Sequence, residues 1–235
     1  MLKAILFDFN GVIINDEPIH KQLIDEILLR ENLRPCEGEF QKFCLGRSDR
    51  ACLSDILYSR GRVVTEEYLD KLIEIKTKAY LQKLDRIENL PIYSGLVDFL
   101  AKIPEKGLKI GLVTGALRSE VKLILDRANI ASYFNVIVAG DDLKTSKPQP
   151  DGYLLAVERF NRLDFNLQLQ PSNCLAIEDT PAGIQAAKKA GMQVVGIANT
   201  YPFHLMQRRA NWAIDYLTDL ELERIQQVFS NNLMP

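Results

Sequence analysis

Six short apolar runs, most of them ending at an acidic residue, a hydroxyl or a glycine, limit what this chain can fold into. The runs lie at 4–7, 109–113, 136–139, 174–177, 194–197 and 212–214. Each is too short for a buried helix and has the length of a strand that is buried on both faces. Helical periodicities fill the gaps, at 119–128, 152–160, 181–190 and 217–229. Strands that alternate with helices predict an α/β fold, a doubly wound parallel sheet with helices on both faces.

The segment 15–90 contains no comparable strand pattern. It has long helical periodicities instead, as at 19–29 and 68–84. We therefore predict an inserted α-helical cap domain at residues 15–90 and a core domain formed by residues 1–14 and 91–235. The loop after the first predicted strand is the point of insertion.

The composition excludes several classes of function. The 235 residues are 47% hydrophobic and 26% charged, with a net charge of −2, so no basic field favours nucleic acid or an anionic membrane. No apolar stretch has the length of a bilayer span, and the first residues lack the long apolar region of a secretory signal. We expect a cytoplasmic protein with no nucleic-acid or membrane partner, and for this size we expect a monomer.

The cysteines argue against a zinc site. Cys36, Cys44, Cys52 and Cys174 form no CxxC pair, and the chain has two histidines, so the usual ligand spacing is missing. We expect reduced, mostly buried thiols.

Polar side chains that suit a metal or phosphate site follow several of the predicted strands. They are Asp8, Asn10, Thr114, Asp141, Asp142, Glu178 and Asp179. Ligands of open α/β sheets bind beyond the carboxyl ends of the strands. Carboxylates gathered there repel one another unless a cation neutralises them, and oxygen ligands suit Mg²⁺. The alternative is that some of these acids cap the helices that follow; for Asp8 with Glu178-Asp179 we favour the metal site.

Lys147 lies in a loop stiffened by Pro148 and Pro150. A lone lysine is usually a solvated surface side chain. A lysine held near several acids is instead placed to balance the charge of a bound phosphoryl group, and we favour this interpretation.

Four motifs, in this order and at this spacing, resemble those of the haloacid dehalogenase superfamily. They are Asp8-Phe9-Asn10-Gly11-Val12, Leu112-Val113-Thr114-Gly115, Ser146-Lys147-Pro148 and Ile177-Glu178-Asp179-Thr180-Pro181-Ala182-Gly183. The predicted cap is similar to that of the β-phosphoglucomutase-like branch, which includes many sugar-phosphate phosphatases. The resemblance implies a Rossmann-like core and a Mg²⁺-dependent phosphatase that acts on a small phosphorylated metabolite.

The resemblance also implies how the phosphate is handled. Asp8 is expected to attack phosphorus and to become an aspartyl phosphate. Thr114 and the Gly115 amide are expected to bind the phosphoryl oxygens. Lys147 is expected to offset the charge between Asp8 and the phosphate.

The metal and substrate contacts follow in the same way. Mg²⁺ is expected on Asp8, the main-chain carbonyl of Asn10 and Asp179, with Glu178 binding directly or through water.

Two cap residues complete the expected site. Arg47 lies in the segment 44–50, which resembles the specificity loop of the family, and is expected to contact substrate; a solvated surface arginine is the alternative. His20 is expected among the substrate-binding residues, in a structural or hydrogen-bonding role rather than in proton transfer.

Asn10 departs from the family pattern. Phosphatases and mutases of this family usually have an aspartate there, which protonates the leaving group, and an amide side chain cannot transfer a proton at neutral pH. Four explanations are open. Turnover is slow, the leaving group needs no protonation, Asp16 or Glu17 transfers the proton instead, or Asn10 was introduced to trap an intermediate.

The departure leaves three functions open. The first is a phosphatase. The second is a phosphoryl-transfer mutase, which is disfavoured because Leu45 stands where mutases usually carry lysine. The third is a protein that binds a phosphorylated ligand without turnover. Metal-free dehalogenases also lack the second aspartate, but Glu178-Asp179 fits them poorly.

Overall fold

The computed structural model describes residues 1–231 and has one six-stranded sheet in that range. The strands are β1 (Ala4–Phe7), β2 (Lys109–Val113), β3 (Val136–Val138), β4 (Cys174–Glu178), β5 (Gln193–Ile197) and β6 (Trp212–Ile214). All neighbouring strands run parallel, in the order β3-β2-β1-β4-β5-β6. The six predicted strands and the doubly wound parallel sheet are confirmed.

The two central strands, β1 and β4, determine where a ligand can bind. Phe7 of β1 lies opposite Ile177 of β4 and also opposite Leu112 of β2. The chain continues from β1 to one side of the sheet and from β4 to the other, so the strand order reverses between them. The crevice beyond the carboxyl ends of such a pair is the usual ligand site of doubly wound sheets.

Four helices form the insertion after β1. They are α1 (Glu17–Arg30), α2 (Glu39–Phe43), α3 (Asp49–Ser59) and α4 (Glu66–Asp85). They enclose an apolar cluster of their own that includes Ile24, Phe40, Leu53, Ile56 and Leu72. The predicted helical insertion is therefore present.

The edges of the insertion are less distinct than its helices. Leu23, Tyr80 and Leu84 are fully buried and pack with the cluster on one face of the sheet. The domain boundaries at residues 15 and 90 remain a prediction, because packing runs across them.

Six helices accompany the rest of the sheet in the described part of the chain. They are α5 (Leu96–Glu105), α6 (Arg118–Arg127), α7 (Asp151–Leu163), α8 (Pro181–Lys189), α9 (Phe203–Arg209) and α10 (Leu222–Ser230). The predicted helix at 217–229 is wrong at its start: a 3₁₀ turn covers Leu217–Asp219, where the Asp219 carboxylate accepts the Tyr216 N–H at 3.0 Å. A short acidic side chain that bonds nearby backbone competes with the helix.

Side chains of β1 alternate between two hydrophobic clusters. Ile5 and Phe7 belong to one cluster, and Ala4 and Leu6 belong to the other. This alternation is what a strand covered on both faces requires. None of the helices in residues 1–231 is both long enough and apolar enough to cross a membrane.

The prediction for the cysteines is wrong in part. Cys44 and Cys52 form a disulfide with Cα atoms 4.5 Å apart, while Cys36 is exposed and free and Cys174 is buried and free. Cys44 follows α2 directly and Cys52 is the fourth residue of α3, so the turn between these helices brings them together. Sequence spacing alone does not reveal such a turn.

Candidate active site

Three carboxylates meet at the carboxyl ends of β1 and β4. Asp8 follows β1, Glu178 is the last residue of β4, and Asp179 comes next. Each offers an oxygen within 4.8 Å of the others, and all three side chains are buried. Pairing of the two strands in register causes this convergence, because Phe7 and Ile177, which precede Asp8 and Glu178, are partners. The structure thus brings together the acids on which the sequence prediction depended.

Lys147 lies between two of these acids. Its Nζ is 2.8 Å from Asp8 Oδ1 and 2.7 Å from Glu178 Oε1, and its side chain is 7% exposed. Burial alone would lower the pKa of Lys147, but the Asp8 and Glu178 carboxylates outweigh it and raise the pKa. The lysine is therefore a charged part of the site and not a solvated surface residue.

The contacts of Glu178 and Asp179 leave one oxygen of each without a partner. Tyr153 donates its hydroxyl to Glu178 Oε1, and Thr200 donates its hydroxyl to Asp179 Oδ2. Glu178 Oε2 and Asp179 Oδ1 are buried and lack hydrogen-bond partners among the described residues. A buried acceptor without a partner is costly, so these two atoms fit a ligand or ion.

The electrostatics of the acids also favour a cation. Burial, and then the negative charge of Asp8, raise the pKa of Glu178 to about 8 although Lys147 opposes this. Burial, Asp8 and Glu178 together raise the pKa of Asp179 well above its usual value. A divalent ion would favour the charged forms of all three acids, and an all-oxygen donor set suits Mg²⁺. The residues present therefore fit the predicted metal.

Thr114 and Gly115 lie at the neighbouring end of β2 and line the same cavity as Asp8. Thr114 Oγ1 accepts the Ala116 N–H at 3.0 Å, which leaves the hydroxyl proton free to donate. Gly115 leaves no room for a side chain, because a Cβ there would be 2.8 Å from the Ser48 nitrogen. Glycine at this position lets the backbone of the insertion approach the core closely.

The side chain of Asn10 belongs to a buried polar network beside the site. Its Nδ2 donates to Asp16 Oδ1 at 2.9 Å and to Oδ2 at 3.0 Å. Tyr80 donates its hydroxyl to the same carboxylate, and His20 Nε2 lies 3.2 Å from Oδ2. Burial would raise the pKa of Asp16, but His20 and these hydrogen bonds outweigh it and lower the pKa.

The network continues into α4. Lys76 is 1% exposed and lies 2.8 Å from His20 Nδ1 and 2.7 Å from Asp49 Oδ2. The His20 ring therefore lies between Lys76 at Nδ1 and the Asp16 carboxylate at Nε2, where Asn10 Nδ2 is also 3.2 Å away. The hydrogen-bonding role of His20 stays a prediction, and these contacts support it.

Arg47 and Glu17 border the cavity that contains Asp8. Arg47 Nη1 donates to Asp55 Oδ2 at 2.7 Å and to the Phe43 carbonyl at 3.1 Å, while its Nε is buried without a partner in the described chain. Burial and the charges of Asp16 and Asp8 raise the pKa of Glu17 to about 7, although His20 opposes the shift.

Asp141 and Asp142, which also follow a strand, lie outside the acid cluster. Asp142 Oδ2 accepts from Arg159 at 2.8 Å and from the Ala139 N–H at 2.9 Å, and Asp141 Oδ1 accepts the Arg118 N–H at 3.0 Å. Asp141 thus bonds the first N–H of α6 and Asp142 bonds the backbone three residues before it, which is the capping role given as the alternative for strand-end acids.

Several residues of the site were missed from the sequence. They are Asp49, Lys76, Tyr80, Glu120, Tyr153 and Thr200. One signal was available: Lys76 occupies the apolar stripe of α4, between Ile73 and Tyr80, and a lysine is almost never fully buried unless paired.

Three features together define a class of α/β enzymes. They are a doubly wound parallel sheet, a helical insertion after its first strand, and a buried acid cluster that contains a lysine. A family model for haloacid dehalogenase-like hydrolases matches residues 5–197. This chain belongs to the haloacid dehalogenase-like hydrolase family, in its β-phosphoglucomutase-like branch, and is an enzyme.

Similar proteins agree with the family over most of the chain. A phosphorylated carbohydrates phosphatase of Thermotoga maritima is 27% identical over 202 residues, 85% of this chain and 87% of its own. A beta-phosphoglucomutase of Bacillus subtilis is 28% identical over 232 residues, 96% of this chain and 95% of its own. The crystal structure of a beta-phosphoglucomutase from Clostridium difficile superposes with a TM-score of 0.85, at 26% identity and 99% coverage of both chains.

Proposed function

We propose that this chain is a Mg²⁺-dependent phosphatase that hydrolyses a small phosphorylated metabolite of the sugar-phosphate type through an aspartyl phosphate on Asp8. The observation that carries the proposal is the buried cluster of Asp8, Glu178 and Asp179 with Lys147 against two of its members. The phosphorylated carbohydrates phosphatase among the similar proteins supports the substrate class.

In this proposal the residues around Asp8 prepare it for attack on phosphorus. The main contacts of the Asp8 carboxylate go to Oδ1, which accepts the Phe9 N–H at 2.7 Å and lies beside Lys147. The Thr114 hydroxyl and the Gly115 amide donate to phosphoryl oxygens. Lys147 offsets the negative charge that the nucleophile and the phosphate bring together.

Asp8, Asp179 and the main-chain carbonyl of Asn10 would hold the Mg²⁺, with Glu178 directly or through water. The ion would supply charge neutralisation for the phosphate and for the acids that surround it. The unpartnered Glu178 Oε2 and Asp179 Oδ1 support this assignment.

Glu17 is the acid/base group that the geometry favours. Asp16 is fully buried and its carboxylate already accepts from Asn10 and Tyr80, whereas Glu17 borders the cavity and its pKa is raised to about 7. A pKa near the working pH suits a group that protonates the leaving oxygen and then activates water. Glu17→Gln is expected to reduce kcat about 10²-fold or more on an alkyl phosphate.

The test measures phosphate release from a panel of sugar phosphates with Mg²⁺ and with a chelator. An aryl phosphate is included, because its leaving group departs without protonation and does not depend on the acid. Asp8→Asn is expected to abolish release, while Asp126→Asn, an exposed aspartate paired with Lys122, should leave it unchanged. Release that survives Asp8→Asn, or no release from any compound, would contradict the proposal.

A mutase is the second candidate, since beta-phosphoglucomutases are similar to this chain over nearly its whole length. In a mutase, a sugar hydroxyl rather than water attacks the aspartyl phosphate. Phosphorus NMR on a hexose 1-phosphate separates the two: a 6-phosphate without free phosphate indicates the mutase, and free phosphate alone indicates the phosphatase.

A further inference from the structure

The disulfide between Cys44 and Cys52 closes a ring around the segment that joins α2 to α3. We call residues 44–52 the cap loop. Cys44 is 8% exposed and Cys52 is 1% exposed. Both line the cavity that contains Asp8, so the pair borders the same space as the active site.

The cap loop makes the contacts that seat the insertion on three loops of the core. The Ser48 N–H donates to Ser146 Oγ at 2.8 Å, next to Lys147. Gly46 has a φ of +72° and leaves no room for a Cβ because the Thr180 side chain, one residue beyond Asp179, occupies that space.

The third contact is the close approach of the loop to the end of β2. A Cβ on Gly115 would lie 3.0 Å from the Arg47 carbonyl carbon and 2.8 Å from the Ser48 nitrogen. The loop therefore touches the neighbours of Thr114, Lys147 and Asp179 at once. A change in its position is transmitted to the phosphate site through direct contacts.

Side chains of the cap loop also form ion pairs with helices α3 and α4 of the insertion. Asp49 Oδ2 is 2.7 Å from the buried Lys76, and Arg47 is 2.7 Å from Asp55. The ring thus links the buried network of the insertion to the core, and the bond between the cysteines restricts its shape.

We propose that Cys44 and Cys52 form a reversible redox site, and that their oxidation state determines how firmly the cap loop docks on the core and how tightly the active site holds its phosphorylated substrate. The second half of this proposal rests on the proposed function. The first half concerns the cysteine pair and the loop alone.

The redox step is an ordinary thiol–disulfide exchange. A thiolate of a small thiol such as glutathione attacks one sulfur, the protein S–S bond breaks, and a mixed disulfide forms. A second thiolate then displaces the protein sulfur, so the protein gains two electrons and two protons while two small thiols become their disulfide. Oxidation by the small disulfide is the reverse.

Reduction is expected to loosen the loop. Two separate sulfurs need roughly 3.5–4 Å between them instead of the bond length of about 2 Å, so the end of α2 and the start of α3 move apart. Opening the ring also returns conformational freedom to the loop, and docking it again costs free energy. We expect KM for the phosphorylated substrate to rise about tenfold on reduction, with kcat changed less than twofold.

The first experiment does not depend on turnover. The full chain is equilibrated with defined ratios of reduced and oxidised glutathione, and the bridged Cys44–Cys52 peptide is quantified by mass spectrometry without reductant. Hydrogen exchange at the Arg47, Ser48 and Cys52 amides is measured in both states. We expect one two-electron transition and exchange of the Ser48 amide at least tenfold faster in the reduced protein.

The second experiment compares variants. The double variant Cys44→Ser with Cys52→Ser is expected to match reduced wild type in the hydrogen exchange of the cap loop and in KM. Neither quantity should change with the glutathione ratio in this variant. Cys36→Ser, which removes an exposed free cysteine, should keep the full response. If the double variant fails to fold, reduced wild type supplies the same comparison.

Three outcomes would overturn the proposal: no bridged peptide at any glutathione ratio, equal loop exchange in both states, or equal KM in both states of an active enzyme. Absence of phosphatase activity in both states together with a normal loop response would instead contradict only the proposed function and, with it, the clause on substrate binding.

Discussion

Replacement of Asn10 by aspartate would put a second carboxylate against Asp16. In the structure, the Asn10 amide donates to both oxygens of the Asp16 carboxylate, at 2.9 and 3.0 Å. Asp16 is fully buried and cannot turn to water to avoid a new negative charge. Asn10→Asp therefore replaces an attractive contact with a repulsive one unless a proton is taken up.

The size of the repulsion decides which happens. Two unit charges about 3 Å apart interact by roughly 5–6 kcal/mol at an effective dielectric constant of about 20. Protonating a carboxyl group of ordinary pKa, about 3.9, at pH 7 costs about 4 kcal/mol. The repulsion is larger, so we expect the pair to keep one proton at neutral pH, and this proton donates to Asp16 as the amide did.

This result makes stability depend on pH in a defined direction. The folded-state pKa of the pair lies above its unfolded value, so its contribution to stability is complete below about pH 4 and is lost as the pH rises toward the folded pKa. Relative to the unsubstituted chain, Asn10→Asp should cost about 4 kcal/mol at pH 7 and about 1.5 kcal/mol at pH 5.

Urea unfolding at the two pH values measures the difference. Asn89→Asp, at an exposed position of the same residue type, should change stability by less than about 0.5 kcal/mol at either pH. An equal cost of Asn10→Asp at pH 5 and pH 7 would refute the reasoning, because it would mean that no proton is shared.

The same variant tests catalysis. If Glu17 supplies the proton, as proposed, a carboxyl at position 10 should change kcat for an alkyl phosphate by less than about tenfold, and a gain of about 10²-fold or more would contradict the role of Glu17. No gain, together with no turnover by the unsubstituted chain, would favour the third alternative, a protein that binds its phosphorylated ligand without useful turnover.

Three further predictions concern the charge and packing of the site. Lys147→Met should lower phosphatase activity at least about 10²-fold, and unchanged kcat in a steady-state assay would contradict its assigned role. Gly46→Ala places a methyl group against Thr180 and should lower the free energy of unfolding in urea by roughly 2–3 kcal/mol. Gly38→Ala, with a similar φ of +77° but open space around it, should lower it by about 1 kcal/mol. Equal losses would refute the packing argument. The pKa of Glu178 is raised to about 8, so Mg²⁺ binding should release protons. The affinity for Mg²⁺ should then increase by up to about tenfold per pH unit from pH 6 to 8. Calorimetry that shows no pH dependence would contradict this prediction.

The sheet and the acid cluster were predictable because they follow from local patterns. Short apolar runs that end in polar residues predict strand ends, and parallel strands place those ends on one edge. Asp8 and Glu178-Asp179 meet for this reason, and Lys147 joins them as its loop predicted.

The polar network of the insertion was not predictable in the same way. Asp16, His20 and Tyr80 meet because α1 and α4 pack together, and no sequence spacing specifies that packing. The disulfide was missed for a related reason, since the turn between α2 and α3 determines the approach of Cys44 to Cys52.

The hydrogen bonds that Asp16 receives from Asn10 and Tyr80 have a consequence for protein engineering. They bind the turn that follows the nucleophile to the first and last long helices of the insertion. Exchange of the insertion for that of a relative, as in building chimaeric enzymes with new specificity, would separate these partners. A working hybrid must therefore transplant residue 10 together with the helices, although that residue lies outside them in the chain.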